Sequence, residues 1–306
     1  MDKNKIAIIL NVSVGIQGIE PLHQQIEEIC HGYAMEVTLF RVYPDTDIQQ
    51  ITKKVIYEQY AIIAAAGGDG TVSAVARELA GTPVILGILP LGTLNHFAKD
   101  LQIPLDLREA LSVLSNGEVM TFDMASVNDQ YFINNSSIGL YPRIVKRRDV
   151  FQQKGFHKWI AFLSAFLLVV SKNSFLRLRI VSAKKDIDCK APFLFIGNNQ
   201  YVMQGYELGS RTSLTSGKLF LSLMHYTNRL NLFRIIVQTI LGLTSQDSDF
   251  DTWESKEVTV YSKKKFLEVA LDGEVIPLQT PLRYFIHPHS LRVIVSRDYA
   301  HNRSHF

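Results

Sequence analysis

Hydrophobic and polar positions change rhythm about two-fifths of the way along the chain. In the first part, apolar runs alternate with stretches of helical spacing. Lys5-IAIILN, Ala61–Ala66 and Val84-ILGILP carry almost no polar alternation, as strands do when a parallel sheet is covered on both faces. Met35-EVTLFRV supplies one more strand. Ile19–Cys30, Thr46–Gln59 and Leu105–Asn116 fit helices. After residue 71, Val72, Val75, Ala76 and Leu79 recur at helical spacing, with Gly81 placed to end that helix. This alternation predicts a doubly wound, mostly parallel α/β domain over residues 1–125.

From Glu118 the pattern turns to strands and tight turns. Val119-MTFDMASV, a turn at Asn128-Asp129, Tyr131-FINNSSIG, Phe175-LRLRIVS, Ala191-PFLFIGN and Lys218-LFLSLMH lead it. Glu257-VTVYS, Phe266-LEVALDGE, Pro281-LRYFIH and Ser290-LRVIVS follow. Helices are expected over 140–150, 157–172 and 230–243. Residues 126–306 are therefore expected to form a β-rich, antiparallel, sandwich-like domain, whose last strand, about 290–297, returns to the first.

Composition narrows the function classes. The 32 Lys and Arg nearly balance 29 Asp and Glu, so no strong field for nucleic acid is implied. Cys30 and Cys189 are far apart, which suits buried thiols in a reducing compartment. His287-Pro288-His289 reads as a turn, too isolated to argue zinc. No signal-peptide pattern opens the chain. The most apolar stretch, Trp159–Ser171, has about a dozen apolar residues where a span needs around 20. The expected location is the cytoplasm, with peripheral contact at the inner face of the membrane.

Candidate chemistry centres on Gly67-Gly68-Asp69-Gly70-Thr71, between a buried strand and a helix. Glycines let backbone approach a ligand, and amides opening a helix favour an anion. Asp69 would repel a phosphate unless Mg²⁺ or a donor stands between them. A tight turn capped by Asp69 would account for a lone GGDG equally well. A second loop, Pro90-Leu91-Gly92-Thr93-Leu94-Asn95, follows the next strand. Loops at the carboxyl ends of adjacent parallel strands form the crevice where open α/β sheets bind ligands. No GxxxxGK[ST] is present, so this is not a P-loop protein.

GGDGT followed by PLGTLNHFAKDL resembles the diacylglycerol kinase catalytic family, which includes bacterial lipid kinases and sphingosine kinases. GGDGT by itself is shared with NAD kinases. The likeness continues to Leu271-Asp272-Gly273-Glu274. It implies a first domain like that of NAD kinase, with ATP and Mg²⁺ as cofactors. The implied reaction moves the γ-phosphoryl group to a hydroxyl of diacylglycerol or a related lipid, in a cleft between domains. By the same likeness Asn11, Gly67, Gly68, Asp69, Gly70, Thr71, Gly92, Thr93 and Asn95 hold the nucleotide. Asp69 and, through water, Asp123 meet the metal, and Glu274 is the general base. A lipid at a membrane surface and the nucleotide are the implied partners, and a homodimer is compatible with them.

Three departures accompany the resemblance. Asn11 and Gly15 match the family's first phosphate loop, but Val12 and Val14 replace its proline and small residue, and no cation follows through Gln17-Gly18-Ile19-Glu20. His96 stands where an aspartate is usual. Thr215-Ser216-Gly217 replaces an Asp-Asp-Gly run that holds a structural metal in some members, so that metal is expected to be missing. Two alternatives stay open: a lipid- or nucleotide-binding protein with impaired catalysis, and a kinase of a soluble acceptor such as NAD.

Overall fold

The computed structural model describes residues 5–12, 19–44, 46–145, 175–202, 211–224 and 250–303. The helices expected over 157–172 and 230–243, and Gly15, lie outside these residues. The chain divides into two compact units, Met1–Met124 with Pro288–Phe306, and Ala125–His287.

In the first unit β1 (Lys5–Asn11), β2 (Glu36–Val42), β3 (Ile62–Gly67) and β4 (Ile85–Pro90) alternate with α1 (Ile19–Gly32), α2 (Ile48–Tyr57) and α3 (Asp69–Leu79). The strands lie in the order β2-β1-β3-β4, all parallel. β3 and β4 are buried almost from end to end. Asp47 starts α2 by accepting the Gln49 and Gln50 amides, an ordinary N-cap. After β4 come the short α4 (His96–Asp100) and α5 (Leu107–Asn116). At Gly87 of β4 an added Cβ would lie 2.5 Å from Leu114 Cδ1, so α5 packs there directly on the backbone.

The second unit begins with the end of β5 (Glu118–Val127) and β6 (Gln130–Phe132), a hairpin closed by Asn128 and Asp129 at φ 44° and 66°. Two adjacent residues at positive φ make the turn whose twist matches paired strands. One sheet is built from β8 (Leu176–Ser182), β9 (Asp186–Ala191), β13 (Glu257–Ser262) and the start of β16 (Leu282–Val295). The other runs β12-β11-β10-β7-β14-β15, all antiparallel. Its members are β7 (Asn135–Gly139), β10 (Phe193–Asn198), β11 (Leu219–Met224), β12 (Phe250–Ser255), β14 (Phe266–Leu271) and β15 (Glu274–Gln279). Ile138, Ile196, Leu221 and Val269 of this sheet share one core with Ile180, Val258 and Tyr284 of the other.

Two expectations need correction. Pro281-LRYFIH and Ser290-LRVIVS are not separate strands but the single β16, and its last part pairs in parallel with β4 through Arg292 and Val293. His287-Pro288-His289 is accordingly no turn. His289 takes φ 52° within the strand, and the buried Asp123 accepts its amide at 3.0 Å. An acceptor from a distant part of the chain thus satisfies the kinked backbone. His287 lies 2.8 Å from Ser126 Oγ and packs on the Tyr131 ring, and burial lowers its pKa. The described residues end in a helix that the pattern did not suggest, α6 (Arg297–Arg303).

Candidate functional site

The glycine loop sits where β3 gives way to α3. Gly68 is the N-cap, in extended backbone, and Asp69 is the first helical residue rather than the cap. The Thr71 and Val72 amides both turn back to Gly68 O, at 3.0 and 3.1 Å. An α-helix leaves its first amides without intrahelical partners, so those of Asp69 and Gly70 stand at its open end. Thr71 is buried, and Asn11 at the end of β1 donates to its Oγ1 at 2.9 Å. Asn11 therefore clamps the glycine loop. The Asp69 carboxylate is half-buried and makes no hydrogen bond among the described residues.

The loop after β4 meets this one backbone to backbone. Leu91 N donates to Gly67 O at 3.0 Å. A Cβ on Gly92 would fall 2.5 Å from Gly68 Cα, a distance that no relaxation of side chains could relieve. Asn95, buried and at φ 51°, accepts from Gly92 N at 3.1 Å and donates to Gly92 O at 2.8 Å. Its amide is thus spent on closing the loop. Thr93 and His96 are exposed beside it. The structure thereby brings Asn11, Gly67–Thr71, Gly92, Thr93 and Asn95 to one end of the parallel sheet.

Gly70 differs from Gly67, Gly68 and Gly92, the other glycines of these two loops. Nothing lies within 4 Å of a Cβ built on it, and it is exposed in the first turn of α3. No protein atom demands a glycine there, whereas a phosphate seated against the helix amides would. Where the loop holds a nucleotide as the sequence implies, Gly70→Val should leave stability unchanged, yet weaken ATP at least about tenfold by filling the space a phosphate needs. Gly92→Ala should instead cost about 1–3 kcal/mol through overpacking. Thermal melts and a nucleotide titration separate the two. Equal ATP affinity in Gly70→Val and the unaltered chain would remove this loop from the nucleotide site.

Glu274 belongs to the second unit, exposed at the start of β15. It pairs with Leu271 across a two-residue hairpin of Asp272 and Gly273, at φ 50° and 89°. Asp272, not Glu274, is the hub of the contacts around the turn. Its carboxylate accepts the amides of Ile133, Asn134 and Asn135 at 3.0, 2.8 and 3.1 Å. The carbonyls of that segment are held from the other side. Asn198 Nδ2 and Arg211 Nη1 donate to Ile133 O at 2.9 and 2.6 Å, and Tyr201 Oη donates to Asn134 O at 2.9 Å. Asp272 and Arg211 were not singled out from the sequence as site residues. The asparagine pairs in FINNSSIG and FIGNN were the available signal, because asparagines repeated at strand ends often bond to backbone.

Thr215-Ser216-Gly217 closes on Asn199 instead of a carboxylate. Ser216 donates through both its amide and its hydroxyl to Asn199 Oδ1, each at 2.7 Å. Asp123 is buried and commits one oxygen to His289. Among the described residues no three His, Cys, Asp or Glu side chains converge as direct metal ligands, and no helix is long and apolar enough to cross a membrane.

Comparison with known proteins bears on the fold and on the domains of the chain. A protein of Pectobacterium atrosepticum described as "Probable lipid kinase YegS-like" is 37% identical over 150 residues, 47% of this chain and 49% of that protein. A diacylglycerol kinase of Staphylococcus aureus is 38% identical over 94 residues, 30% of each chain. The match thus spans half or less of these relatives. A crystal structure described as a Bacillus anthracis diacylglycerol kinase has TM-score 0.69 at 18% identity, over 98% of this chain and 99% of its own. A second structure from that organism reaches 0.76 at 21% identity, over 96% and 98%. These likenesses establish the fold: a parallel α/β unit joined to an antiparallel β unit. Residues 147–295 match the YegS C-terminal NAD kinase beta sandwich-like domain. Residues 5–127 match the diacylglycerol kinase catalytic domain, so the chain carries both of these domains.

Proposed function

We propose that the protein is an ATP-dependent lipid kinase acting on a hydroxyl of diacylglycerol or a related lipid. The observation that carries this reading is the pair of loops after β3 and β4. They touch at Gly68 and Gly92 and leave the α3 amides, the space at Gly70 and the Asp69 carboxylate uncommitted. Backbone amides and glycine clearance suit phosphate oxygens. A carboxylate at the same place suits a cation bound to them. Asp69 would hold Mg²⁺ there, with Asp123 joining through water. When bound, the ion supplies charge neutralisation on the phosphate oxygens.

The second unit supplies the acceptor side. On this reading the Glu274 carboxylate takes the proton of the lipid hydroxyl as that oxygen bonds to the γ-phosphorus. The bond from the γ-phosphorus to its bridging oxygen breaks, and ADP leaves with the electron pair. Asp272 positions the turn that carries Glu274 and does not touch the substrate.

The test is transfer of label from ATP, with Mg²⁺, to lipid in mixed micelles containing diacylglycerol. Labelled lipid supports the reading. Label on NAD in place of lipid would identify a kinase of a soluble acceptor. Retained nucleotide binding with no transfer to any lipid would mark a binding protein.

A further inference from the structure

Ser73 sits inside α3 at 2% exposure, and its hydroxyl has no hydrogen-bond partner. A serine within a helix can return its hydroxyl to the carbonyl four residues earlier, and this one does not. An unpartnered hydroxyl in the interior is costly. Native chains keep few such groups, and each marks strain, a bound water or ion, or a task in function. The helix itself gains nothing from this one, because alanine forms helix better than serine.

Helical spacing narrows the choice. Four residues make a little more than one turn, so Ser73 and Asp69 lie within about 40° of each other round the α3 axis. Side chains on a helix lean toward its N-terminus, which sets the Ser73 hydroxyl over the turn that Asp69 opens. Thr71 projects about 200° away from Ser73, and on that side Asn11 of β1 donates to it. Because β3 lies between β1 and β4, Asp69 and Ser73 share the flank of α3 turned toward β4, whose loop meets Gly68. The Asp69 carboxylate makes no hydrogen bond among the described residues. A proton donor and an acceptor thus stand one turn apart on one flank, neither committed elsewhere.

We propose that Ser73 is a positioning residue for the carboxylate that holds the divalent cation. Its hydroxyl donates to one Asp69 oxygen while the other oxygen faces the ion. This rests on the reading of the glycine loop as a site for nucleotide and Mg²⁺. Carboxylates that hold a metal are themselves held by hydrogen bonds, and losing such a partner weakens the metal by about 10–100-fold. Ser73 touches neither ion nor nucleotide. As it has no protein partner, its removal should cost the fold nothing.

The experiment titrates Mg²⁺ into the full chain with a fluorescent ADP analogue and reads nucleotide binding, so it does not depend on turnover. Ser73→Ala should raise the Mg²⁺ concentration for half-maximal binding about tenfold and leave binding in excess EDTA unchanged. Without nucleotide or Mg²⁺ it should melt no lower than the unaltered chain. Ser73→Thr keeps a hydroxyl and should need Mg²⁺ within about threefold of the unaltered chain. Asp69→Asn combined with Ser73→Ala should be no worse than Asp69→Asn alone, since Ser73 acts through that carboxylate. Equal Mg²⁺ dependence in Ser73→Ala and the unaltered chain would overturn the inference and leave the nucleotide site standing. So would multiplied losses in the double variant, or a Ser73→Ala melt lowered by several degrees, which would show the hydroxyl serving the fold. An unaltered chain that binds the analogue equally with and without Mg²⁺ would overturn the glycine-loop reading, and this inference with it.

Discussion

Asp69→Ala should reduce phosphoryl transfer by roughly a thousandfold or more, about 4 kcal/mol of transition-state stabilisation, while the protein melts within a few degrees of the unaltered chain. The two halves of this expectation have separate causes. Asp69 opens α3 without serving as its cap and makes no hydrogen bond among the described residues. Its loss therefore takes away only the favourable charge near a helix N-terminus, about 0.3–1 kcal/mol. Activity is different, because Asp69 is the carboxylate that opens α3 beside the amides the proposed site offers to phosphate. Asp69→Asn separates charge from shape. It keeps the side chain's size and should fail nearly as badly, since an amide is a far weaker ligand for Mg²⁺ than a carboxylate. Rates within tenfold of the unaltered chain in either variant, at saturating Mg²⁺, would detach Asp69 from the metal and leave the glycine loop as a structural turn.

The part of this architecture legible in the sequence is the part decided by burial. Strands enclosed on both faces, such as Ile62–Gly67 and Ile85–Pro90, are apolar without interruption because no position along them meets water. The three strands that went unread, Asp186–Ala191, Phe250–Ser255 and Glu274–Gln279, are all sheet edges. Edge strands face solvent along one side and carry charges or proline that discourage further pairing. DIDCKA and EVIPLQ therefore resemble loop composition. Long-range side-chain contacts were illegible for a different reason. Pro288 and His289 read as a turn, whereas the Asp123 carboxylate, 166 residues away, accepts the His289 amide at their kink inside a strand. In the same way the two glycine loops were visible as a pair, but not that Asn11 and Asn95 serve first to brace them.

The Asp272-Gly273-Glu274 turn yields the sharpest division of roles. Asp272→Ala removes the acceptor of three successive amides at Ile133, Asn134 and Asn135. An unsatisfied buried donor costs about 1–3 kcal/mol, and Ile133 and Asn134 are buried, so the total loss should be at least about 3 kcal/mol. Asp272→Asn can retain the two bonds to Oδ1 while turning a donor toward the Ile133 amide, so roughly half that loss is expected. Glu274→Gln should behave in the opposite way. Glu274 is exposed on an edge strand, so the melting temperature should not move, while kcat falls on the order of 10²–10⁴-fold with the KM for ATP unchanged. Asp272→Asn, assayed well below its own melting point, should keep most of its kcat, because its part is to hold the turn and not to take a proton. A normal melt for Asp272→Ala would show that the 133–135 segment is fixed by its carbonyl partners Asn198, Arg211 and Tyr201 alone. Undiminished kcat in Glu274→Gln would place the proton acceptor on another residue and separate this hairpin from the chemistry.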